Sequence, residues 1–328
     1  GYAWNADFQN IRLTDVNITG NYGVGGLVGY NHAWYGSSSI TNCSAAGDVT
    51  GSYSGGLVGH NDARYGSSSI TNCSAIGDVT GSYSGGLVGY NDANYGGSSI
   101  TNCSATGDVT GYTSGGLVGW ISAYDSGSSS SITNCSATGD VTGYTSGGLV
   151  GRNDANYGGS SSITNCSATG TVTGDGSAGG LVGYNSANYG GGSSSITNCS
   201  ATGDVTGRGL CSTGGLVGEN SGDSSITSCF ATGSVTGNYR LGGLVGENYG
   251  SGSSITNCFA TGDVTGTGSF RSVGGLVGYN SVYSGGSSFI TNCYASGTVT
   301  GSSSGGLVGY AARSAGSSLV IRDCAVLT

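Results

Sequence analysis

The pentapeptide Gly-Gly-Leu-Val-Gly occurs ten times in this chain, beginning at Gly25, Gly55, Gly85, Gly115, Gly147, Gly179, Gly214, Gly242, Gly274 and Gly305, at spacings of 28 to 35 residues. A period in this range marks a solenoid, in which each repeat is too small to bury its apolar face alone and buries it against its neighbours. A second motif keeps the same period: residues 99–111 read S-I-T-N-C-S-A-T-G-D-V-T-G and return with small changes through Gly301. One repeat is therefore one coil. The expected fold is all-β, a parallel β-solenoid (β-helix) of about ten coils of 28–35 residues with no capping helix. It divides into an N-terminal segment with an atypical half-repeat (1–24), the repeats (25–316) and a C-terminal strand or half-coil (317–328).

Composition narrows the classes. With 70 glycines and no proline, collagen is excluded, since it needs glycine at strictly every third position together with abundant proline. Seventeen acidic residues face eight arginines and no lysine, a net charge of -9, so no basic stripe exists to neutralise phosphates and nucleic acid is not an expected partner. No apolar run is long enough to span a bilayer. Methionine is absent even at position 1, as expected of a processed, secreted chain whose targeting segment has been removed, or equally of a fragment of a larger chain.

Within the second motif, Cys103, Ala105, Gly107 and Val109 share one parity and Ser104, Thr106, Asp108 and Thr110 the other, the period of a half-buried strand with its small residues inward. Ile100 falls on the opposite parity yet recurs as Ile40, Ile70, Ile132, Ile163 and Ile196, which predicts a bend or bulge at the intervening Thr-Asn. After each pentapeptide comes a position of mixed chemistry, from Tyr30 and His60 to Arg152 and Glu219, which is expected to face solvent. Alternation then turns Val28, Val58 and their equivalents outward and Leu27 inward; a chain turn at Gly29 would instead tuck valine inside as well. Asparagine follows the mixed position in eight of ten repeats and precedes cysteine in eight of ten, a pattern suited to ladders of side-chain hydrogen bonds along the axis. Six of those before cysteine also fit N-x-S, the glycosylation acceptor. The stretches 91–99 and 185–195, rich in Tyr, Asn, Gly and Ser, are expected to be loops.

GGLVG followed by Tyr-Asn, and then I-T-N-C-S-A-T-G-D-V-T-G, resembles the GLUG-motif repeat of bacterial and archaeal surface proteins, among them adhesins and segments of IgA-specific metallopeptidases. The resemblance runs from about Gly25 to Thr328 and implies an extracellular β-solenoid used for adhesion, surface display or cell-envelope structure. It carries over no catalytic residue. The peptidases with such repeats use a separate zinc domain bearing H-E-x-x-H, whereas His32 and His60 stand in no such pattern. Cysteine occupies a position where a small residue such as serine is expected in many relatives.

Ten of the eleven cysteines fall one per repeat: Cys43, Cys73, Cys103, Cys135, Cys166, Cys199, Cys229, Cys258, Cys293 and Cys324. Equivalent residues of stacked coils lie ~4.8 Å apart, which permits either a buried thiol ladder or axial disulfides. No cysteine or histidine cluster has zinc spacing. Asp48, Asp78, Asp108 and Asp140 begin a recurring outward carboxylate row that Ca²⁺ would relieve of repulsion, although the calcium-binding nonapeptide of other solenoids is absent and a solvated acidic stripe is the alternative. The face repeats itself and brings no dissimilar acid, base and cation together, so no enzyme activity and no cofactor are expected.

The preferred function is a secreted, cell-surface structural subunit that self-assembles into a filament, fibre or sheath. Tyr2, Trp4 and Phe8 at one end would dock head to tail on Leu319, Val320 and Ile321 at the other, and the Val28 and Val58 stripe would join rods laterally. The alternative is an adhesin or stalk segment that binds a glycan or other surface ligand. A third class, ice binding, draws on the outward Thr138, Asp140 and Thr142 array, but the aspartate row interrupts any flat, uncharged face.

Overall fold

The computed structural model describes residues 1–188, 190–268 and 272–327; Thr328, counted above in the C-terminal segment, lies outside them. Among the described residues the chain forms strands and turns, with no helix, in a parallel β-solenoid. Four sheets run the length of the rod, three of eleven strands and one of sixteen. One coil contributes Val58–Arg64 to sheet I, Ser67–Thr71 to sheet II, Ser74–Ile76 to sheet III and Val79–Gly85 to sheet IV. Every residue then pairs with its counterpart one coil on, Ile70 with Ile100 and Ala75 with Ala105.

Residues 1–24 are not a half-repeat. They supply Tyr2–Trp4, Asp7–Gln9, Arg12–Leu13 and Ile18–Thr19 to the four sheets in turn, with Tyr2 opposite Tyr30 and Phe8 opposite Ile40, and so make a complete first coil. The expected loops are also largely strand: Val88–Asn94 meets Gly97–Thr101 across a short turn, and the second stretch falls mostly in the strands Val182–Asn188 and Ser193–Thr197, with Tyr189 outside the described residues. Their polarity hides the alternation, because the residue turned inward is an asparagine or a serine.

Each corner has a local cause. Between sheets II and III the turn falls on Asn42, Asn72, Asn102 and their equivalents, all in the left-handed region at φ 52 to 55°, which asparagine tolerates because its short amide bonds locally. This is the bend expected between Ile and Cys. Between sheets III and IV Gly77 takes φ 133°, which a side chain would oppose. Between sheets IV and I the chain folds at Gly56–Leu57, where the Leu57 and Val58 amides both donate to the Leu87 carbonyl, each at 3.0 Å. A Cβ on Gly56 would strike the Gly86 carbonyl of the next coil and the Ala75 methyl.

The main core stacks Leu57, Val58, Ile70, Cys73 and Ala75 with their equivalents. Val49, Val79, Val109 and their successors through Val205 form a second, separate cluster beyond the glycine corner, which Cys211 joins, and Val235, Leu241, Val264 and Val273 form a third. The corner at Gly56–Leu57 overturns the outward valine: Val28 and Val58 are buried beside leucine and cannot join rods side by side. Parity fails there because the turn precedes the strand, before Val58 rather than at the glycine after it, the position equivalent to Gly29 considered above.

Candidate functional site

Three features depart from a plain stacked core. The first is a set of polar ladders. Asn31 Nδ2 donates to Asn61 Oδ1 (2.8 Å) and Asn61 Nδ2 to Asn91 Oδ1 (2.8 Å), while Ser38 and Ser68 hydroxyls donate to the Asn31 and Asn61 carbonyls (2.6 Å each), all fully inside. Ile121 interrupts this row, and it resumes from Asn153 through Asn185, Asn220 and Asn248 to Asn280. At the exposed corner Asn72 donates to Asn42 (3.3 Å) and Asn102 to Asn72 (3.1 Å). The outward aspartates do likewise with the backbone: Asp78, Asp108 and Asp140 amides donate to Asp48, Asp78 and Asp108 Oδ1 at 2.9 Å. Each carboxylate thus caps an amide of the next coil. No group of three or more His, Cys, Asp or Glu among the described residues is arranged to hold a metal ion.

All eleven cysteines are free thiols; Cys324 is partly exposed and the other ten are buried. Each ladder thiol turns back to the backbone, as Cys73 Sγ does toward the Thr71 carbonyl (3.2 Å), and those from Cys73 to Cys293 receive the amide of the preceding coil's cysteine, as Cys73 does from Cys43 (3.4 Å).

The second feature is the row after the pentapeptide. Tyr2, Tyr30, His60, Tyr90, Trp120, Arg152, Tyr184, Glu219, Glu247, Tyr279 and Tyr310 lie in register on sheet I. Solvent reaches it less than its mixed chemistry suggests, because Tyr53 and Tyr83 of sheet IV lean over it, 5.8 Å from Tyr90 and 5.4 Å from Trp120. Further along the row, charged groups neutralise one another. Arg152 pairs with Asp154, which also accepts from Trp120 Nε1 (2.9 Å), and lies 4.9 Å over the Tyr184 ring. Arg240 pairs with Glu247 and lies 4.1 Å over Tyr279, and the Ser212 hydroxyl donates to Glu247 (2.9 Å).

Burial shifts the groups left without such a partner. Desolvation and the neighbouring Glu247 carboxylate push Glu219 up to about 7. Desolvation and Asp62 push Asp92 up to about 6. Desolvation, with His32 adding to it, holds His60 down at about 4. Here dissimilar acids and cations do converge, which the repeat pattern concealed. Glu247 is 7% and Asp154 2% exposed, so these two carboxylates are enclosed, while the Arg152 side chain is 43% exposed.

The third feature is the pair of end coils. Tyr2 (71% exposed) stacks on Tyr30 at 4.6 Å, Trp4 (59%) leans on His32 at 4.6 Å, and Phe8 packs against the core. At the far end Leu319, Val320 and Ile321 lie in Ser318–Arg322, in register with Ser288, Phe289 and Ile290. Ile321, an in-line member of the core isoleucine row, is exposed there together with Val326. On the rod's flank the turn tyrosines Tyr35, Tyr65 and Tyr95 stack at 4.9 and 5.2 Å with φ of 55 to 61°, a conformation aromatic residues rarely adopt.

A family model described as the GLUG motif matches residues 20–50, 50–80, 80–110, 111–142, 143–173, 174–206, 209–236, 237–265 and 271–300. No curated protein matches the chain, and no solved structure does.

Proposed function

With nine motif matches spanning most of its length, the chain belongs to the GLUG-motif family, and on that premise we propose that it is a non-catalytic extracellular structural protein whose β-solenoid rods stack end on end into a surface filament or sheath. The observation that carries this reading is the match between its first and last coils. Register places Tyr310 and Tyr2 in one row, Ile321 and Phe8 in another, and Val326 and Leu13 in a third. In the buried asparagine row the two end positions are Ala3 and Ala311, so neither end face presents an inward amide, and the row stops one coil inside the C-terminal end at Asn280, whose Nδ2 has no partner. A second copy would therefore continue these three rows, ring on ring and aliphatic on aliphatic, while the open strand edges pair. Such a contact is heterologous and does not close on itself.

The test is Ile321→Asp in the 328-residue chain. The substitution charges the end face without touching an interior coil. Wild-type protein should form filaments in electron micrographs, and the variant short rods with unchanged β-type circular dichroism. Filaments of unchanged length would refute end-on stacking. The display role, as adhesin or stalk, would then take its place, with the exposed tyrosine flank at Tyr35, Tyr65 and Tyr95 as the presented surface.

A further inference from the structure

We propose that two copies of this chain pair side by side and antiparallel through the outer face of sheet III. The proposal deepens the assembly reading and rests on it for the class of partner, a second copy.

Two rows point outward from this narrow sheet. The first is serine from Ser44 through Ser200 and then changes to Phe230, Phe259 and Tyr294. The three rings stack at 5.0 and 4.9 Å with planes within 3°, so each covers its neighbour's face and their edges form a ridge along the rod. The second row is threonine at Thr106, Thr138 and onward, but begins with Ala46 and with Ile76, which is 58% exposed. Around these two lies a depression of about 240 Å³ that also takes in Arg12 and Leu13. Both departures from the repeat are apolar, both lie on one sheet, and one is raised where the other is hollow.

Order along the sheet decides how they meet. Its eleven strands put Arg12, Ala46 and Ile76 on rungs 1, 2 and 3, and Phe230, Phe259 and Tyr294 on rungs 8, 9 and 10. A two-fold axis across the rods that sets rung 1 against rung 10 brings Tyr294 to Arg12, whose guanidinium can donate to the phenol oxygen. Phe259 then faces the gap over Ala46, and Phe230 faces Ile76. The contact occurs twice, once at each end of the pair, whereas parallel rods would have to slide by about 34 Å, seven rungs at ~4.8 Å, to make it once. Between the two contacts Ser104 meets Ser200 and Ser136 meets Ser167, hydroxyl against hydroxyl. Ten shared rungs and a face at most three residues wide give a footprint of about 48 by 10 Å, on the order of 500 Å² per partner, at the small end of specific interfaces. The pair is isologous and closed, so it doubles a rod's width without limiting its growth at the ends.

The experiment is small-angle X-ray scattering over a concentration series, read as mass per unit length, on wild type and on Phe230→Ser/Phe259→Ser/Tyr294→Ser. Serine is what six other coils place in this row, so the variant is expected to fold, with circular dichroism as the check. Mass per unit length should fall by about a factor of two in the variant. Ile76→Asp, altering the opposite side of the same contact, should do the same. Wild-type rods of single width at every concentration, or double width that survives both variants, would overturn the proposal. Rod length in micrographs reports separately on end-on stacking: long single rods sink the pairing alone, and short double rods sink only the stacking.

Discussion

Glutamate at position 219 is the place where one side chain should control how stability varies with pH. It sits in register between Tyr184 and Glu247, and the nearby cation, Arg240, is paired with Glu247. Glu219 is left with the Tyr249 phenol and the Ser177 hydroxyl (3.4 Å), and burial beside a second carboxylate raises it from an ordinary 4.5 to about 7. Below 4.5 the group is protonated in both folded and unfolded chains and contributes nothing. As pH rises the unfolded chain ionises first, so stability falls through this window and then stays lower. At about 1.4 kcal/mol per pH unit the gap amounts to ~3 kcal/mol. Glu219→Gln carries no proton to lose, so it should match wild type near about pH 4 and exceed it by ~3 kcal/mol near about pH 8. Asp92, raised from 3.8 to about 6, acts in the same sense in both proteins. His60, lowered from 6.5 to about 4, acts in the opposite one, because the unfolded chain gains a proton below 6.5 that the folded chain refuses. These terms partly cancel in the wild-type profile and fully cancel in the difference between the two proteins. Urea denaturation followed by far-ultraviolet circular dichroism at the two pH values measures that difference. A variant advantage equal at both, or a loss at the higher pH, would refute the electrostatic account.

Leu149→Asp, placing a charge at a fully buried mid-rod position, should abolish folding, and soluble protein with unchanged β-type circular dichroism would contradict the stacked core. Asn185→Ala removes the acceptor used by Asn153 (2.7 Å) and Ser194 (2.6 Å) and the donor to Asn220 (2.8 Å), and should cost upwards of about 2 kcal/mol in denaturant titration. Thiol labelling should find the ten buried cysteines unreactive in the native rod and all eleven reactive after unfolding without reductant. Failure of the ladder thiols to emerge would identify axial disulfides.

The repeat made most of this architecture legible because a stacked coil must obey the same parity rule many times over. Ile100 and Cys103 could both be placed inside from sequence, since asparagine at position 102 offered a physical reason for a bend between them. Val58 was misplaced because alternation was carried from His60 back through Gly59 and Gly56–Leu57, where the chain turns and parity lapses. The strands at 88–94 and 97–101 were hidden by inward polar residues: Asn91 and Ser98 satisfy each other inside, and a hydropathy pattern cannot distinguish that from a loop. The ion pairs at Arg152 and Arg240 were missed for a different reason. Each departs from the repeat at a single coil, and only the stacking shows that Trp120 and Tyr279 are their neighbours, although Asp154, two residues on along the same strand face, could have been paired with Arg152 from sequence.

The backbone hydrogen bonds of all four sheets run from one coil to the next, parallel to the rod. Tension applied along the axis therefore loads every inter-coil junction equally, and within a junction the bonds share the force. A straight pull must rupture a whole coil's set together, whereas a pull on a free terminus detaches strands one after another at far lower force. A rod of this kind is stiff when gripped across its end faces and ravels when tugged by its tail, so its mechanical strength is set by how its ends are held.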